Sequence, residues 1–205
     1  SPLARLRVSL ALAQKKPAEH QQYLKRIEQD AERLEALIAQ LLANQRLNAK
    51  LEDTIDLGAL LEQLCNNARF EGQQSGKTFY LRREIGPAVV KTHADTLQKA
   101  FENILRNALQ HTVDNTTVDV TLSNTEGYRV TVEDHGAGVP DDELDKIFTE
   151  FYQVDRTRSP TSEGFGLGLA IARRSIALHG GRICADNTAS GLRVSVQLPP
   201  DIAVP

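Results

Sequence analysis

The stretch Gly164-Phe165-Gly166-Leu167-Gly168-Leu169 opens a helical pattern that continues through residues 170–172. The free backbone N–H groups and the positive dipole end of such a helix attract anions, and phosphate suits this position. The preceding residues Asp155–Glu163 are polar and loop-like, which excludes the dinucleotide-binding fingerprint, since that motif requires a strand there. With Arg156 and Arg158, this polar stretch instead predicts a lid that closes over a triphosphate.

A second stretch, Phe101–Ala108, carries Asn103 and Asn107 four positions apart in a helical pattern. Their amides leave the same face of the helix and could hold one metal ion together. An amide oxygen is a hard, neutral ligand, and magnesium takes few protein ligands beside water and phosphate oxygens. Taken alone, the pattern fits equally well two asparagines that face solvent or cap a turn.

A third stretch, Asp134-His135-Gly136-Ala137-Gly138, directly follows the strand-like run Val130–Glu133. Its glycines let the backbone turn tightly. Asp134 could accept a hydrogen bond from an exocyclic amine such as that of adenine, although a carboxylate in a loop is often an ordinary turn residue. Together, the three stretches predict one site that binds ATP and Mg²⁺.

The order and spelling of these stretches resemble the ATP-binding domain of sensor histidine kinases, within the superfamily of gyrase, heat-shock-90, histidine-kinase and mismatch-repair proteins. The resemblance covers nearly the whole chain. Four boxes of that family are matched in order: the N box by Asn103–Asn107, the first glycine box by Asp134–Gly138, the F box by Ile147–Phe151, and the second glycine box by Gly164–Gly168.

The resemblance implies a role for each box. Asn103 and Asn107 would contact the magnesium ion and the phosphates, and Asp134 would contact the adenine amine. The glycines would approach the nucleotide through their backbone, and Gln153 would lie near the terminal phosphate. The full set expected to bind the nucleotide is Asn103, Asn107, Gln110, His111, Asp134, Gly136, Gly138, Gln153, Arg156, Gly164, Phe165, Gly166, Leu167, Gly168 and Leu169, with Asn103 and Asn107 as the metal ligands.

Two positions depart from relatives in ways that bear on the chemistry. Hydrolytic members of the superfamily carry a glutamate four residues before the magnesium asparagine, and that place here is Asn103. Glu102 is turned about 100° around the helix from it, so water activation is disfavoured and transfer to a protein acceptor is favoured. Gln110 stands where many relatives have a lysine, which either weakens ATP binding or shifts the phosphate contact to an arginine such as Arg106, Arg156 or Arg158.

Residues 1 to about 50 show apolar residues spaced three and four apart on both sides of a turn at Lys15-Lys16-Pro17. The apolar stripes are wider than a two-stranded coil needs, so we expect a helical hairpin that pairs with a second copy into a four-helix bundle. A hairpin packed only on its own second domain is the alternative. We expect domains at 1–52 and 53–205, joined by a short linker at Leu51–Asp56.

The acceptor histidine of the family begins a motif spelled His-Glu-Leu-Arg-Ser/Thr-Pro-Leu, whereas this chain starts at Ser1-Pro2-Leu3. The chain is therefore expected to be cut just past the acceptor and to contain no catalytic residue of its own. The histidines that are present are not expected to replace the acceptor: His20, His93, His111, His135 and His179.

Beyond residue 56, strand-like alternation interleaves with helical patterns. The expected strands are Thr78–Ile85, Thr117–Leu122, Tyr128–Glu133 and Leu192–Leu198, and the expected helices are 57–72, 94–111 and 167–179. Strands that do not alternate one-for-one with helices favour an α+β fold, in which the helical hairpin precedes a two-layer α/β sandwich with a mixed sheet.

Composition limits the partners. The formal net charge is -3, with both signs interspersed, so no footprint for nucleic acid or an anionic membrane is seen. No run reaches the roughly 18 apolar residues that a membrane span needs. Neither Cys65 nor Cys184 has a second ligand-type residue near it at the spacing of a metal site.

The resemblance then implies the cytoplasmic portion of a bacterial inner-membrane sensor histidine kinase, which passes phosphate through a histidine to an aspartate of a response-regulator receiver domain. The expected partners are a second copy of the chain and that receiver domain, with the membrane reached only through segments outside this sequence. Two alternatives remain: an ATPase or ATP-binding switch of the same superfamily, and a non-catalytic dimeric scaffold.

Overall fold

The computed structural model of this chain describes Val8, residues 10–13 and 21–24, Ile27, Ala31, and residues 53–154 and 166–202. The described residues before Asp53 are helical. Several expectations lie outside the described residues: the turn at Lys15-Lys16-Pro17, the pairing of the hairpin into a bundle, residues 51 and 52 of the linker, the lid at Asp155–Glu163, and the first glycine of the second glycine box.

From residue 53 onward, we number the helices and strands in chain order. They are β1 (Asp53–Asp56), α1 (Leu57–Gly72), β2 (Thr78–Arg83), β3 (Val89–Thr92), α2 (Ala94–His111), β4 (Thr117–Asn124), β5 (Tyr128–Glu133), α3 (Gly168–Leu178), β6 (Arg182–Asn187) and β7 (Leu192–Gln197). Short 3₁₀ turns lie at Gln73–Ser75, Asp141–Glu143, Lys146–Phe148 and Pro200–Ile202. Among the described residues, no helix combines the length and the apolar character needed to cross a bilayer.

The main sheet has five strands in the order β2-β4-β5-β7-β6. β2 runs parallel to β4, because the chain passes through β3 and α2 before it enters β4, and the other neighbours are antiparallel. β1 and β3 form a separate antiparallel pair in which Asp53 lies opposite Thr92. The predicted mixed sheet is confirmed.

One face of this sheet forms the core. Because side chains on a strand alternate between faces, the central strands β4, β5 and β7 bury every second residue: Val118, Val120, Leu122, Val130, Val132, Val194 and Val196. The apolar residues of α1, α2 and α3 join the same cluster. The domain is thus a two-layer sandwich, as predicted.

The short strand β1 determines where two helices begin. Asp56 Oδ1 accepts a hydrogen bond from the Gly58 N–H at 2.8 Å and so caps α1. Asp53 Oδ2 accepts from the Ala94 N–H at 2.9 Å, in the first turn of α2. Each carboxylate satisfies an N–H group that has no partner within its own helix.

Three strands were not expected, and a fourth is shorter than expected. The linker expected at Leu51–Asp56 is wrong for its described part, since Asp53–Asp56 is β1. β3 and β6 were not expected, and β2 ends at Arg83 rather than Ile85. β1 and β3 are too short for alternation to stand out, and β6 is an edge strand in which only Ala185 is fully buried. β1 and β3 pair with each other although they lie more than thirty positions apart, whereas β6 pairs with β7, the next strand in the chain.

Candidate nucleotide-binding site

The two asparagines of the predicted metal site lie on α2, one turn apart on the same face. Asn103 is 9 % exposed. Its Nδ2 donates to the Lys99 carbonyl at 2.9 Å, and its Oδ1 accepts from Arg106 Nη2 at 3.1 Å. Asn107 is half-buried. The side chain of Asn103 is therefore held in one orientation by its own helix.

The start of α3 lies directly against this face of α2. A methyl group placed on Gly168 would sit 3.4 Å from Asn103 Oδ1. The N-terminal N–H groups of α3 are therefore brought next to the amide of Asn103, so that the N box and the described part of the second glycine box form one region. An anion held by the helix terminus would lie close to that amide.

The amide oxygens suit a hard divalent ion of the magnesium type, whose other ligands would be water and phosphate oxygens. Asn103 Oδ1 is engaged by Arg106 in this structure. A metal ion that binds to this oxygen therefore requires the guanidinium to move. Asn107, half-buried one turn further along α2, would be the second amide ligand.

Asp134 follows β5 and is 3 % exposed. Its Oδ1 accepts hydrogen bonds from the Gly136 N–H at 2.8 Å and the Leu192 N–H at 3.2 Å. Its own N–H donates to the Leu192 carbonyl at 2.9 Å. Burial raises the pKa of Asp134, and the two backbone hydrogen bonds and the nearby His111 and His135 oppose the rise. One carboxylate oxygen thus holds the loop, which leaves Oδ2 as the candidate acceptor for a ligand.

The end of α2 is fastened to the first glycine box. A methyl group on Gly136 would lie 2.5 Å from the His111 carbonyl oxygen. Only glycine therefore fits at this position without a clash. Thr112 Oγ1 accepts from the His135 N–H at 3.0 Å. Burial of the ring lowers the pKa of His111 below its ordinary value. The charge of Asp134 opposes this lowering, and the charge of Lys77 adds to it. The residue as a whole is exposed.

Asn187, at the end of β6, holds the loop that follows Gly138, the second glycine of the first glycine box. The sequence did not indicate this role. Its Oδ1 accepts from the Val139 N–H at 3.0 Å, and its Nδ2 donates to the Val139 carbonyl at 2.6 Å and to Asp141 Oδ1 at 2.8 Å. Gly138 has φ +70, and a methyl group there would lie 2.7 Å from Asn187 Oδ1. No local pattern marks an asparagine on an edge strand as a loop clamp.

Gly191 supports Asp134 from the β6–β7 turn. A methyl group on Gly191 would lie 2.4 Å from the Asp134 carbonyl oxygen. The turn sequence Ser190-Gly191 was the signal available for it, but the contact itself joins residues almost sixty positions apart.

The F box and the second glycine box meet through their backbones. The Phe151 N–H donates to the Gly166 carbonyl at 2.9 Å. Gly166 has φ +68, and a methyl group there would lie 2.2 Å from the Tyr152 carbonyl oxygen. Phe148 is buried, whereas Phe151 is 47 % exposed at φ 64, an unusual conformation for a bulky residue.

The structure therefore brings some of the described members of the predicted site together in two groups. Asn103 meets Gly168, and His111 meets Gly136 beside Asp134. Leu167 and Leu169 are buried at the start of α3, and Gln110 and Gln153 are half-buried in the last turn of α2 and after the F box. Arg156, Gly164 and Phe165 lie outside the described residues. Contact of any of these residues with a nucleotide stays a prediction.

Two family models match the chain. The model described as histidine kinase-, DNA gyrase B-, and HSP90-like ATPase matches residues 92–202, more than half of the chain. The model described as His Kinase A (phospho-acceptor) domain matches residues 1–50. The chain therefore belongs to the histidine kinase-, DNA gyrase B- and HSP90-like ATPase family, among the sensor histidine kinases, as the resemblance implied.

Individual relatives agree. The chain is 37 % identical over 204 residues to the sensor histidine kinase CpxA of Escherichia coli (strain K12), covering 97 % of this chain and 44 % of that protein. It is 35 % identical over 203 residues to the sensor protein PfeS of Pseudomonas aeruginosa, again covering 97 % and 44 %. The chain thus spans less than half the length of these relatives. The structure of the Acinetobacter baumannii histidine kinase AdeS shares the fold with a TM-score of 0.72 at 18 % identity, over 97 % of this chain and 95 % of that one.

Proposed function

We propose that this chain is the ATP-binding and dimerisation core of a two-component sensor histidine kinase. In the intact protein, it would bind ATP with Mg²⁺ and deliver the γ-phosphoryl group to an acceptor histidine. The observation that carries the proposal is the meeting of α2 and α3, which sets the amide of Asn103 beside the N-terminus at Gly168. Family membership supports the same reading.

Each part of the site would have a separate task. The amides of Asn103 and Asn107 would hold the metal ion, which would neutralise phosphate charge when bound. Asp134 Oδ2 would accept from the adenine amine, while Oδ1 keeps the loop in place. The N–H groups at the start of α3 would bind phosphate oxygens. Such a site acts by positioning and by charge stabilisation, which is how phosphoryl transfer is chiefly catalysed.

The transfer would proceed in two exchanges. A ring nitrogen of the acceptor histidine would attack the γ-phosphorus, a P–N bond would form, and the P–O bond to ADP would break with its electron pair leaving on ADP. An aspartate oxygen of the receiver domain would then replace the histidine nitrogen on phosphorus. No water enters either exchange.

The position of Glu102 supports transfer over hydrolysis. Its Oε1 accepts from Gln98 Nε2 at 2.7 Å, along the side of α2. It stands one residue before Asn103, and one residue rotates a side chain by about 100° around a helix. Glu102 is therefore poorly placed to activate a water molecule at the amide face.

The remaining assignments extend the proposal to the assembled protein. Residues 1–52 would form the dimerisation hairpin and residues 53–205 the catalytic domain. A second copy of the chain and a response-regulator receiver domain would be the partners. The intact protein would be a sensor in the bacterial inner membrane, with this portion on the cytoplasmic side.

Calorimetry and a restored acceptor test the proposal. We expect the chain to bind ATP in a magnesium-dependent manner. After addition of an upstream segment that begins His-Glu-Leu-Arg, it should form acid-labile, base-stable phosphate on the protein. The same extension with glutamine in place of the histidine is the matched control. Rapid release of free phosphate without a phosphoprotein, or no ATP binding at all, would contradict the proposal.

A further inference from the structure

His179, the cap residue directly after α3, is 2 % exposed. Its Nδ1 lies 2.8 Å from the Ser175 carbonyl oxygen. Its Nε2 lies 2.8 Å from Thr92 Oγ1 and 3.2 Å from the main-chain nitrogen of His93. A carbonyl only accepts and a main-chain N–H only donates, so the ring proton is on Nδ1 and Nε2 is an acceptor. His179 is therefore a neutral, fully bonded ring rather than the cationic helix cap that its position suggests.

These hydrogen bonds join the end of α3 to the start of α2. Thr92 is the last residue of β3 and is fully buried, and His93 directly precedes α2. The chain leaves α3 immediately afterwards, because Gly180 has φ +67 and the N–H groups of Gly180 and Gly181 bond back to the helix. α3 therefore ends sharply before His179, and His179 itself is hydrogen-bonded to the start of α2.

The other end of α3 meets α2 at the candidate site, where Gly168 lies against Asn103. His93 and Asn103 are ten positions apart, and Gly168 and His179 are eleven apart. These separations correspond to about 15 and about 16 Å of helix. The two helices therefore run antiparallel with matched spans. A slip of one residue at His179 would move Gly168 by about 1.5 Å along α2.

We propose that His179, in its neutral form, is a positioning residue that sets the register of α3 against α2, and with it the placement of Gly168, the last glycine of the second glycine box, beside Asn103. The inference rests on the proposed function, because the two groups act together only if they enclose a nucleotide. Protonation would place an N–H at Nε2, which faces the His93 N–H, and one of these donors would lose its acceptor. ATP affinity would then fall as acid releases the contact.

The surroundings of the ring determine the direction of this pH dependence. Charged and titratable residues on the surrounding elements include Asp53 on β1, Lys91 on β3, Asp95 at the start of α2, Arg174 on α3 and Arg182 on β6, and the charge that acts on the His179 ring is that of His93. Burial lowers the pKa of His179 below its ordinary value of 6.5, the carbonyl bond opposes this, and the nearby charge of His93 adds to it. A ring released from α2 would accept a proton at about its ordinary pKa. The contact therefore weakens as the pH falls from about 6.5 towards the lower pKa of the folded state.

The test measures ATP affinity of the whole chain by calorimetry between about pH 8 and about pH 5.5, the range over which a histidine titrates. His179→Ala should weaken binding about fivefold or more at high pH, at the low end of couplings between separated sites, and the difference from the parent should shrink at low pH, where the parent loses the same contact. His179→Gln keeps an acceptor for Thr92 and His93 but cannot be protonated. It should bind ATP nearly as tightly as the parent does at high pH. As the pH is lowered, its ATP affinity should fall less than that of the parent.

His93→Gln is the matched control, because its main-chain N–H remains, and it should bind ATP as the parent does at high pH. Identical pH profiles for the parent and His179→Gln, or parental affinity of His179→Ala at high pH, would overturn the inference. If His179→Ala does not fold, Thr92→Val removes one donor without changing the shape, and unchanged affinity would overturn the inference equally.

A nucleotide-free measurement separates this inference from the proposed function. The amide NMR signals of Gly166 and Gly168 should move with acid in the parent and stay in place in His179→Gln. Failure of the parent to bind ATP at high pH would refute the proposed function alone, whereas glycine signals that ignore both pH and residue 179 would refute the role of His179.

Discussion

Asp134 has a structural role and a proposed role in nucleotide binding, and different substitutions should separate the two. Oδ1 accepts from the Gly136 and Leu192 N–H groups, whereas Oδ2 is the candidate acceptor for the adenine amine. Asp134→Asn keeps a carbonyl oxygen for the two backbone donors but places an NH₂ group where the nucleotide amine would bind. Asp134→Ala removes both functions. The pair of variants therefore distinguishes a structural carboxylate from one that binds the nucleotide.

The magnitudes follow from these contacts. Asp134→Ala leaves one buried and one partly buried N–H without an acceptor, which should cost about 2–4 kcal/mol of unfolding free energy, or about 5–15 °C in Tm for a domain of this size. Burial raises the pKa of Asp134, so its charged form costs stability at neutral pH, and this cost disappears as pH falls through the raised pKa. The neutral Asp134→Asn should therefore be as stable as the parent or more so.

Binding should respond differently. A hydrogen bond to a charged group contributes about 1.5–3 kcal/mol, so Asp134→Asn should raise the Kd for ATP about 10- to 150-fold. Thermal unfolding measures the first effect and calorimetry with ATP the second. Parental ATP affinity in Asp134→Asn would refute the role of Oδ2, and a Tm loss as large as that of Asp134→Ala would refute the role of Oδ1.

Three further outcomes are expected. Asn107→Ala should weaken ATP binding about tenfold in the presence of magnesium and leave metal-free binding and the Tm almost unchanged; equal losses with and without the metal would contradict its assignment as a ligand. Gly166→Ala should lower the unfolding free energy by about 1–3 kcal/mol, since its φ is +68 and a methyl group there would meet the Tyr152 carbonyl; an unchanged urea midpoint would show that this backbone contact is not tight. Burial raises the pKa of Cys65 to about 11, so an aromatic disulfide reagent should modify only the exposed Cys184 in the native chain and both thiols in denaturant; native modification of Cys65 would contradict its burial.

The regular helices and the central strands could be predicted from the sequence because their signals are local. α1 and α2 have the bounds that the apolar periodicity predicted, 57–72 and 94–111. β5 matches Tyr128–Glu133 for the same reason, since alternation along one strand reflects burial on one face. Short strands such as β1 and β3 were missed because four polar or mixed residues have no periodicity of their own.

For the candidate site, the sequence identified the residue types but not what holds them. The boxes around Asn103, Asp134 and Gly166 were visible because amides, a carboxylate and glycines occur at spacings with a local meaning. The support from Asn187 and Gly191 was not visible, because each contacts a loop that lies about fifty to sixty positions away.

By itself, the sequence determined the regular helices, the central strands and the residue types of the boxes, since helix periodicity, strand alternation and glycine placement are properties of neighbouring residues. The order of the boxes was enough for a resemblance to the family. Only the tertiary structure decided that one oxygen of Asp134 is used by the fold and that His179 is buried and neutral. Each depends in part on a backbone group that lies close in space and far away along the chain, Leu192 for Asp134 and His93 for His179. A side chain's proton and partners are set by the groups that surround it after folding, and these cannot be read from its neighbours in sequence.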